Sequence, residues 1–200
     1  MPQIMLFILI LTGPQTGGQK IRFEFGPYYT NSLVSQDNQA NRSFYNWGGE
    51  IGVRELLPGI GLKLRGSYLK FVASDVDSTP FDESRYTYEY IPVTLAATFD
   101  LLPFWKSERF DLSLETGMGV YFWRGMLDGE TMEIPTGKME ERDPGFTIGL
   151  DFQVQPVRFL AIDLSSRYHY LTSADLNKYG FCDQDEKIWE NGLGLKFVLP

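Results

Sequence analysis

From residue 21 onward the chain alternates apolar and polar side chains with a period of two, segment after segment. In the first stretch Ile21, Phe23, Phe25 and Tyr29 share one parity while Arg22, Glu24 and Gly26 share the other. Residues 110–122 set Phe110, Leu112, Leu114, Met118, Val120 and Phe122 against Asp111, Ser113, Glu115, Gly117 and Gly119, and the segments around 146–154 and 160–168 repeat the pattern. Successive side chains of a β-strand point to opposite faces, so this period calls for strands with one greasy and one polar face. Eight segments carry it, at about 20–30, 46–56, 61–71, 86–101, 110–124, 145–155, 159–170 and 188–198. Most of them reach the roughly 9–11 residues that a tilted membrane-crossing strand needs. The connections alternate in length: long at 31–45, a Pro-Gly turn at Leu57–Ile60, long at 72–85, moderate at 102–109, long at 125–144, tight at 156–158 and long at 171–187. In an up-and-down barrel this places four long loops at one end, and three short turns with both termini at the other. The expected fold is all-β, an eight-stranded antiparallel up-and-down transmembrane β-barrel.

Alternation alone does not say which face is inside, because a soluble lipocalin-like barrel also alternates. Charge and side-chain size decide. The polar parity carries Arg22, Arg54, Lys63, Arg65, Arg167 and Lys196 beside Glu24, Glu50, Asp111, Glu115, Asp151, Asp163 and Glu190, six positive groups against seven negative. Isolated buried charges are prohibitively costly, so near-balance suits a closed lumen in which they pair. Gly48, Gly52, Gly117, Gly119, Gly149, Gly192 and Gly194 share this parity and leave volume for the long charged groups in a narrow barrel. The apolar parity bears aromatics toward its ends: Tyr29, Trp47, Tyr68, Phe122, Phe146, Tyr168 and Trp189 toward the long loops, and Phe99, Phe110, Phe152 and Phe197 toward the short turns. Two such belts belong at the two membrane interfaces. Pro92 interrupts the fourth segment and predicts a bulge near Ile91 to Val93, and Asn191 falls on the lipid-facing parity.

Two hundred residues leave room for one domain, 19–200, after a leader. The apolar run Ile4 to Leu11, followed by small and polar residues through Gly18, is too short to span a membrane and reads as a signal peptide over 1–18. A net charge of -8 and the lack of a basic stripe argue against nucleic acid as a partner. The single cysteine, Cys182, has no intramolecular partner and reads as an incidental loop residue. The expected partners are outer-membrane lipids and an extracellular ligand or protein met through the long loops, with the chain itself a monomer.

The segments YIPVTLAATF at 90–99, ETGMGVYFW at 115–123, LSSRYHYL at 164–171 and GLGLKFVLP at 192–200 resemble the small outer-membrane β-barrel superfamily, with its OmpA-like, OmpX-like and OmpW-like barrels. The resemblance implies architecture and a place in the cell outer membrane more than an activity, since barrels of this shape do unrelated things. It also implies a terminal strand read by the barrel-insertion machinery, with Phe197 three residues inside the end of the chain.

Chemistry is sparse in this sequence. His169 is the only histidine, and its surroundings resemble the His-x-Ser segment of lipid A deacylases, but Leu171 stands where the serine would be and strand parity turns the imidazole into the lumen. No cofactor motif, metal cluster or catalytic set emerges, and the expectation is no enzyme. The carboxylates Asp75, Asp77, Asp82, Glu83, Glu130, Glu133, Glu140, Glu141, Asp143, Asp183, Asp185 and Glu186 lack EF-hand spacing and read as a solvated acidic rim. A structural, adhesive or surface-interacting barrel with a lumen plugged by paired charges is the leading expectation; an OmpW-like conduit for small hydrophobic compounds is the alternative, and a lipid-modifying enzyme comes third.

Overall fold

A computed structural model of the chain describes residues 21–36, 39–72, 86–101, 109–135, 137–172 and 186–199. The expected leader and the acidic stretches at 73–85 and 173–185, with Cys182, lie outside the described residues. The strands are β1 (Arg22–Gln36), β2 (Gln39–Leu57), β3 (Ile60–Val72), β4 (Tyr86–Asp100), β5 (Phe110–Leu127), the short β6 (Glu130–Thr131), β7 (Glu133–Ile134) and β8 (Gly137–Lys138), then β9 (Glu140–Val157), β10 (Leu160–Leu171) and β11 (Glu186–Leu199). Each of the eight long strands pairs antiparallel with its neighbours in sequence, and β1 pairs with β11 to close the ring. The expected eight-stranded up-and-down barrel is the observed fold. Closure matters here because an open edge in hydrocarbon would leave backbone N–H and C=O groups with no partner.

The register fixes the tilt. Following partners from Tyr29 through β2, β3, β4 and β5 arrives at Arg142 on β9, whereas the other way, through β11 and β10, it arrives at Phe152. These residues are ten positions apart, which is the shear of the barrel, and closing a barrel with such a stagger tilts its strands by about 35–45°. On β5 the outward-facing Phe110 and Phe122 are twelve residues apart. That is about 40 Å of strand and roughly 30 Å along the membrane normal at this tilt, matching the hydrocarbon core.

Three features depart from the sequence reading. The bulge expected at Ile91 to Val93 is absent: β4 keeps one unbroken register with β5 from Tyr86↔Leu127 to Asp100↔Ser113, and with β3 it resumes the same register on either side of Pro92. A proline lacks only the N–H, so one missing ladder bond suffices and no extra residue is inserted. The irregularities lie instead at Thr30/Ser32, Val53/Leu57 and Leu160/Ile162. Second, the connection expected at 31–45 is mostly strand, with β1 and β2 paired as far as Gln36↔Gln39. Third, the one expected at 125–144 is also largely β: β5 runs to Leu127 and turns at Asp128 and Gly129, whose φ angles of 54° and 84° are those of a tight two-residue hairpin.

Candidate functional site: the barrel interior

Strand parity sends one residue in two into the lumen, which in an eight-stranded barrel is about wide enough for side chains to fill. In the half nearer the short turns the inward side chains are ionic. Arg65 bridges Glu50 (2.6 Å) and Glu115 (2.8 Å), and Arg167 bridges Glu115 (3.1 Å) and Glu190 (2.6 Å). Lys196 reaches Glu50 (2.7 Å) and Asp163, Lys63 pairs with Glu115 and Asp151, and Arg54 joins Glu24 (3.0 Å) to Asp111. Asp151 is wholly buried and lies within 4.0 Å of Lys63, Arg65, Arg167 and Lys196, drawn from three strands. The structure thus brings twelve of the thirteen charged lumen candidates into ion pairs; Arg22 sits half-buried at the mouth.

One aromatic threads this network. Tyr28, on the inward parity of β1, lies 5.5 Å from the guanidinium carbons of both Arg65 and Arg167, and its hydroxyl donates to the Gly66 carbonyl (3.2 Å). Such stacking suits a guanidinium that has lost its water. Gly48 is required for it, because a Cβ there would lie 2.5 Å from the Tyr28 ring.

Toward the long-loop end the same inward parity turns apolar. Leu69, Phe71, Tyr90, Tyr121, Trp123, Leu171 and Ile188 form a buried cluster, with Tyr88 and Met139 packed against it. Phe71 and Tyr90 meet edge to face at 5.6 Å. The polar tips are satisfied, as buried Tyr and Trp require: Tyr90 donates to Glu186 (2.7 Å) and the Trp123 indole donates to Asp143 (2.7 Å). The sequence reading assigned the inward parity to charge and glycine and missed this cluster. Its signal was present in Leu69, Phe71, Trp123 and Leu171, which continue the parity of Arg65, Glu115 and Arg167.

His169 lies between the two zones, 3% exposed, its Nδ1 hydrogen-bonded to the Tyr121 hydroxyl at 2.7 Å. It faces the lumen, not lipid.

The outer wall is apolar. Trp47 (67% exposed), Phe146, Tyr29 and Trp189 project from it toward the long-loop end with Tyr68, Phe122 and Tyr168, and Phe99, Phe110, Phe152 and Phe197 project from it toward the turns. Asn191 is accommodated on this face because Ser166 (2.8 Å) and the Trp189 indole (3.3 Å) both donate to its Oδ1. Among the described residues no group of three His, Cys, Asp or Glu side chains is arranged to hold a metal ion.

This architecture is that of a small integral β-barrel of the outer-membrane class: a closed ring, with an apolar outer band between aromatic tiers and a polar parity turned inward. No protein-family model and no curated protein matches the sequence. Among solved structures the chain is similar to a major outer membrane protein from Thermus thermophilus, with a TM-score of 0.59 and 12% identity over 90% of this chain and 99% of that one. It is also similar to Neisserial surface protein A, with a TM-score of 0.56 and 10% identity over 88% and 96% of the two chains. The attachment invasion locus protein Ail of Yersinia pestis aligns with a TM-score of 0.52 and 17% identity over 89% and 98%. The chain therefore has the fold of the small eight-stranded outer-membrane barrels.

Proposed function

We propose that this protein is a non-conducting, non-enzymatic outer-membrane barrel whose role is structural or adhesive, exercised through the β-structure and loops of its long-loop end. The reading is supported by the inward side chains, whose cross-strand ion pairs span the turn-side half while an aromatic cluster lies across the other. A water-filled pore needs a continuous polar path, which the aromatic cluster would interrupt. The similarity to an attachment protein, Ail, agrees with a surface role. Planar-bilayer recording tests it. The expected result is no steady open-channel current; reproducible step conductance from the refolded wild type would overturn the reading.

A second reading, a conduit that passes small hydrophobic compounds sideways into the membrane, draws on the apolar half of the lumen above a charged floor. The chain also shares its fold with the outer membrane protein OprG of Pseudomonas aeruginosa (TM-score 0.53, 10% identity). Barrel-dependent uptake of a hydrophobic solute by intact cells would favour it, and equal uptake with and without the protein would discard it. An enzymatic role rests on His169 alone, which is enclosed by the lumen. Unchanged acyl chains on the lipids of expressing cells are expected, and acyl loss abolished by His169→Ala would reverse this.

A further inference from the structure

The outer wall is polar in few places. Among the described outward positions between the two aromatic tiers, only Thr116, Ser166 and Asn191 carry polar side chains that are not aromatic. Two of these adjoin. Ser166 on β10 and Asn191 on β11 are direct register partners, and Asn191 is in turn the partner of the exposed Asn31 on β1. The three form one polar row across three adjacent strands.

The centre of this row is held in place. An indole N–H only donates, so the atom that Trp189 meets at 3.3 Å is the amide oxygen of Asn191, which also accepts from the Ser166 hydroxyl at 2.8 Å. Trp189 is itself set edge to face against Tyr168, with 6.0 Å between ring centroids. Two donors occupy the Asn191 oxygen, which leaves its amide NH2 as a fixed donor on the outer face, one strand from the amide of Asn31. Hydrocarbon offers it no acceptor.

A hollow lies on the other side of Asn31. Pro27, Gly49 and Gly66 are direct partners across β1, β2 and β3, and they floor a groove of about 660 Å³ walled by Phe25, Trp47 and Leu64. The packing of the barrel itself does not ask for these two glycines. A Cβ on Gly49 or Gly66 would meet nothing nearer than 3.8 Å, whereas one on the inward Gly48 or Gly117 would lie within 2.5 Å of another atom. Neither Gly49 nor Gly66 has a positive φ.

Resting on the reading of the chain as an outer-membrane barrel, we infer that the face formed by β10, β11, β1 and β2 docks a second copy of this chain. Two barrels inserted the same way in one membrane meet symmetrically about a two-fold axis along the membrane normal, and such an interface must be self-complementary. With the axis between β11 and β1, β1 of each copy faces β11 of the other, and β2 faces β10. The Asn191 amide then donates to the Asn31 amide oxygen of the other copy, twice by symmetry. The same rotation turns each hollow toward Leu164 and Leu193, which project from β10 and β11 and are 50% and 52% exposed. A lipid carbonyl is also an acceptor, but a fixed donor one strand from a fixed acceptor, with a hollow on one side and bulky side chains on the other, matches its own two-fold copy. A dimer replaces the monomer expected from the sequence.

The test is sedimentation equilibrium of the full chain in density-matched detergent micelles, with a reductant present so that the single cysteine cannot join copies. Wild type is expected to dimerise reversibly, the dimer fraction rising with the amount of protein per micelle. Asn31→Leu/Asn191→Leu should weaken dimerisation roughly thirtyfold, through loss of two hydrogen bonds inside a membrane. Gly49→Leu fills the hollow and should weaken it roughly tenfold by overpacking the interface. Thr116→Leu, on β5 across the barrel, should leave it within about twofold of wild type. Heat-modifiable migration shows that each variant is folded. Dimerisation as strong as wild type in either the asparagine or the glycine variant, or equal weakening by Thr116→Leu, would overturn the inference. So would a wild type that stays monomeric at every concentration and retains lipid in native mass spectrometry, which would assign the polar row to lipid carbonyls. If wild type were freely soluble without detergent, it would be the barrel reading that failed.

Discussion

The two halves of the lumen are lined by the same strands on the same inward parity, yet they are filled by opposite chemistry. Toward the short turns, Glu115 and Asp151 lie at the hub of ion pairs with Lys63, Arg65 and Arg167. Toward the long loops, Leu69, Phe71 and Trp123 pack as in a soluble core. An eight-stranded barrel is about wide enough for side chains to fill, so both halves must be complementary, but they fail differently. An apolar cluster that loses a side chain keeps a cavity of moderate cost. An ionic cluster that loses one partner keeps a desolvated charge, which costs more. The ionic half should therefore tolerate substitution least and specify the register of its strands most.

The largest expected effect follows from this contrast. Asp151→Ala leaves Lys63 and Lys196 short of a buried partner and should lower unfolding stability in urea-titrated phospholipid vesicles by about 3–5 kcal/mol. Leu69→Ala, in the apolar half, should cost about 2–3 kcal/mol in the same titration. If Leu69→Ala proved the more damaging of the two, the contrast would break. Double-mutant cycles sharpen it: Arg65 with Glu115 should couple by more than about 1.5 kcal/mol, and Phe71 with Tyr90 by about 0.5–1.5 kcal/mol. Comparable coupling energies would mean that the ionic pairs are screened by water. The smallest effect belongs to the junction, where Tyr121→Phe removes the hydroxyl bonded to His169 and should cost about 1 kcal/mol. A much larger loss would attach the junction energetically to the ionic half.

Much of this was legible in the chain because a strand's period of two is read directly from sequence. The alternation from Phe110 to Phe122 specifies both faces of β5, and the balanced signs on the inward parity point to paired charges. Pairing partners were not legible, since Lys63 meets Asp151 from 88 residues away and only the closed register brings them together. The β-structure over 125–144 was hidden for a different reason. Asp128-Gly129 is a strong short-range hairpin signal, but its flanking residues Arg124 to Thr131 do not alternate cleanly, so the stretch looks like a loop. The upper cluster escaped because the inward parity was read for its charges and glycines, whereas Tyr121 and Trp123 continue that parity on β5 and Tyr90 lies just before Pro92, where an expected bulge leaves parity open. Pro92 pointed to a bulge because proline in a strand often marks one, and here only a ladder hydrogen bond is lost.

The proposed filling of the lumen from end to end is tested by thiol reactivity at Ser113, a small inward residue that is 3% exposed in the ionic half, with Glu130 at the exposed tip as the reference. In a Cys182→Ser background, Ser113→Cys and Glu130→Cys are treated in detergent with a small cationic methanethiosulfonate. A filled lumen predicts rapid labelling of the Glu130→Cys thiol and labelling of the Ser113→Cys thiol only after unfolding in denaturant. Labelling of folded Ser113→Cys at the rate of the reference would mean an open, water-filled lumen.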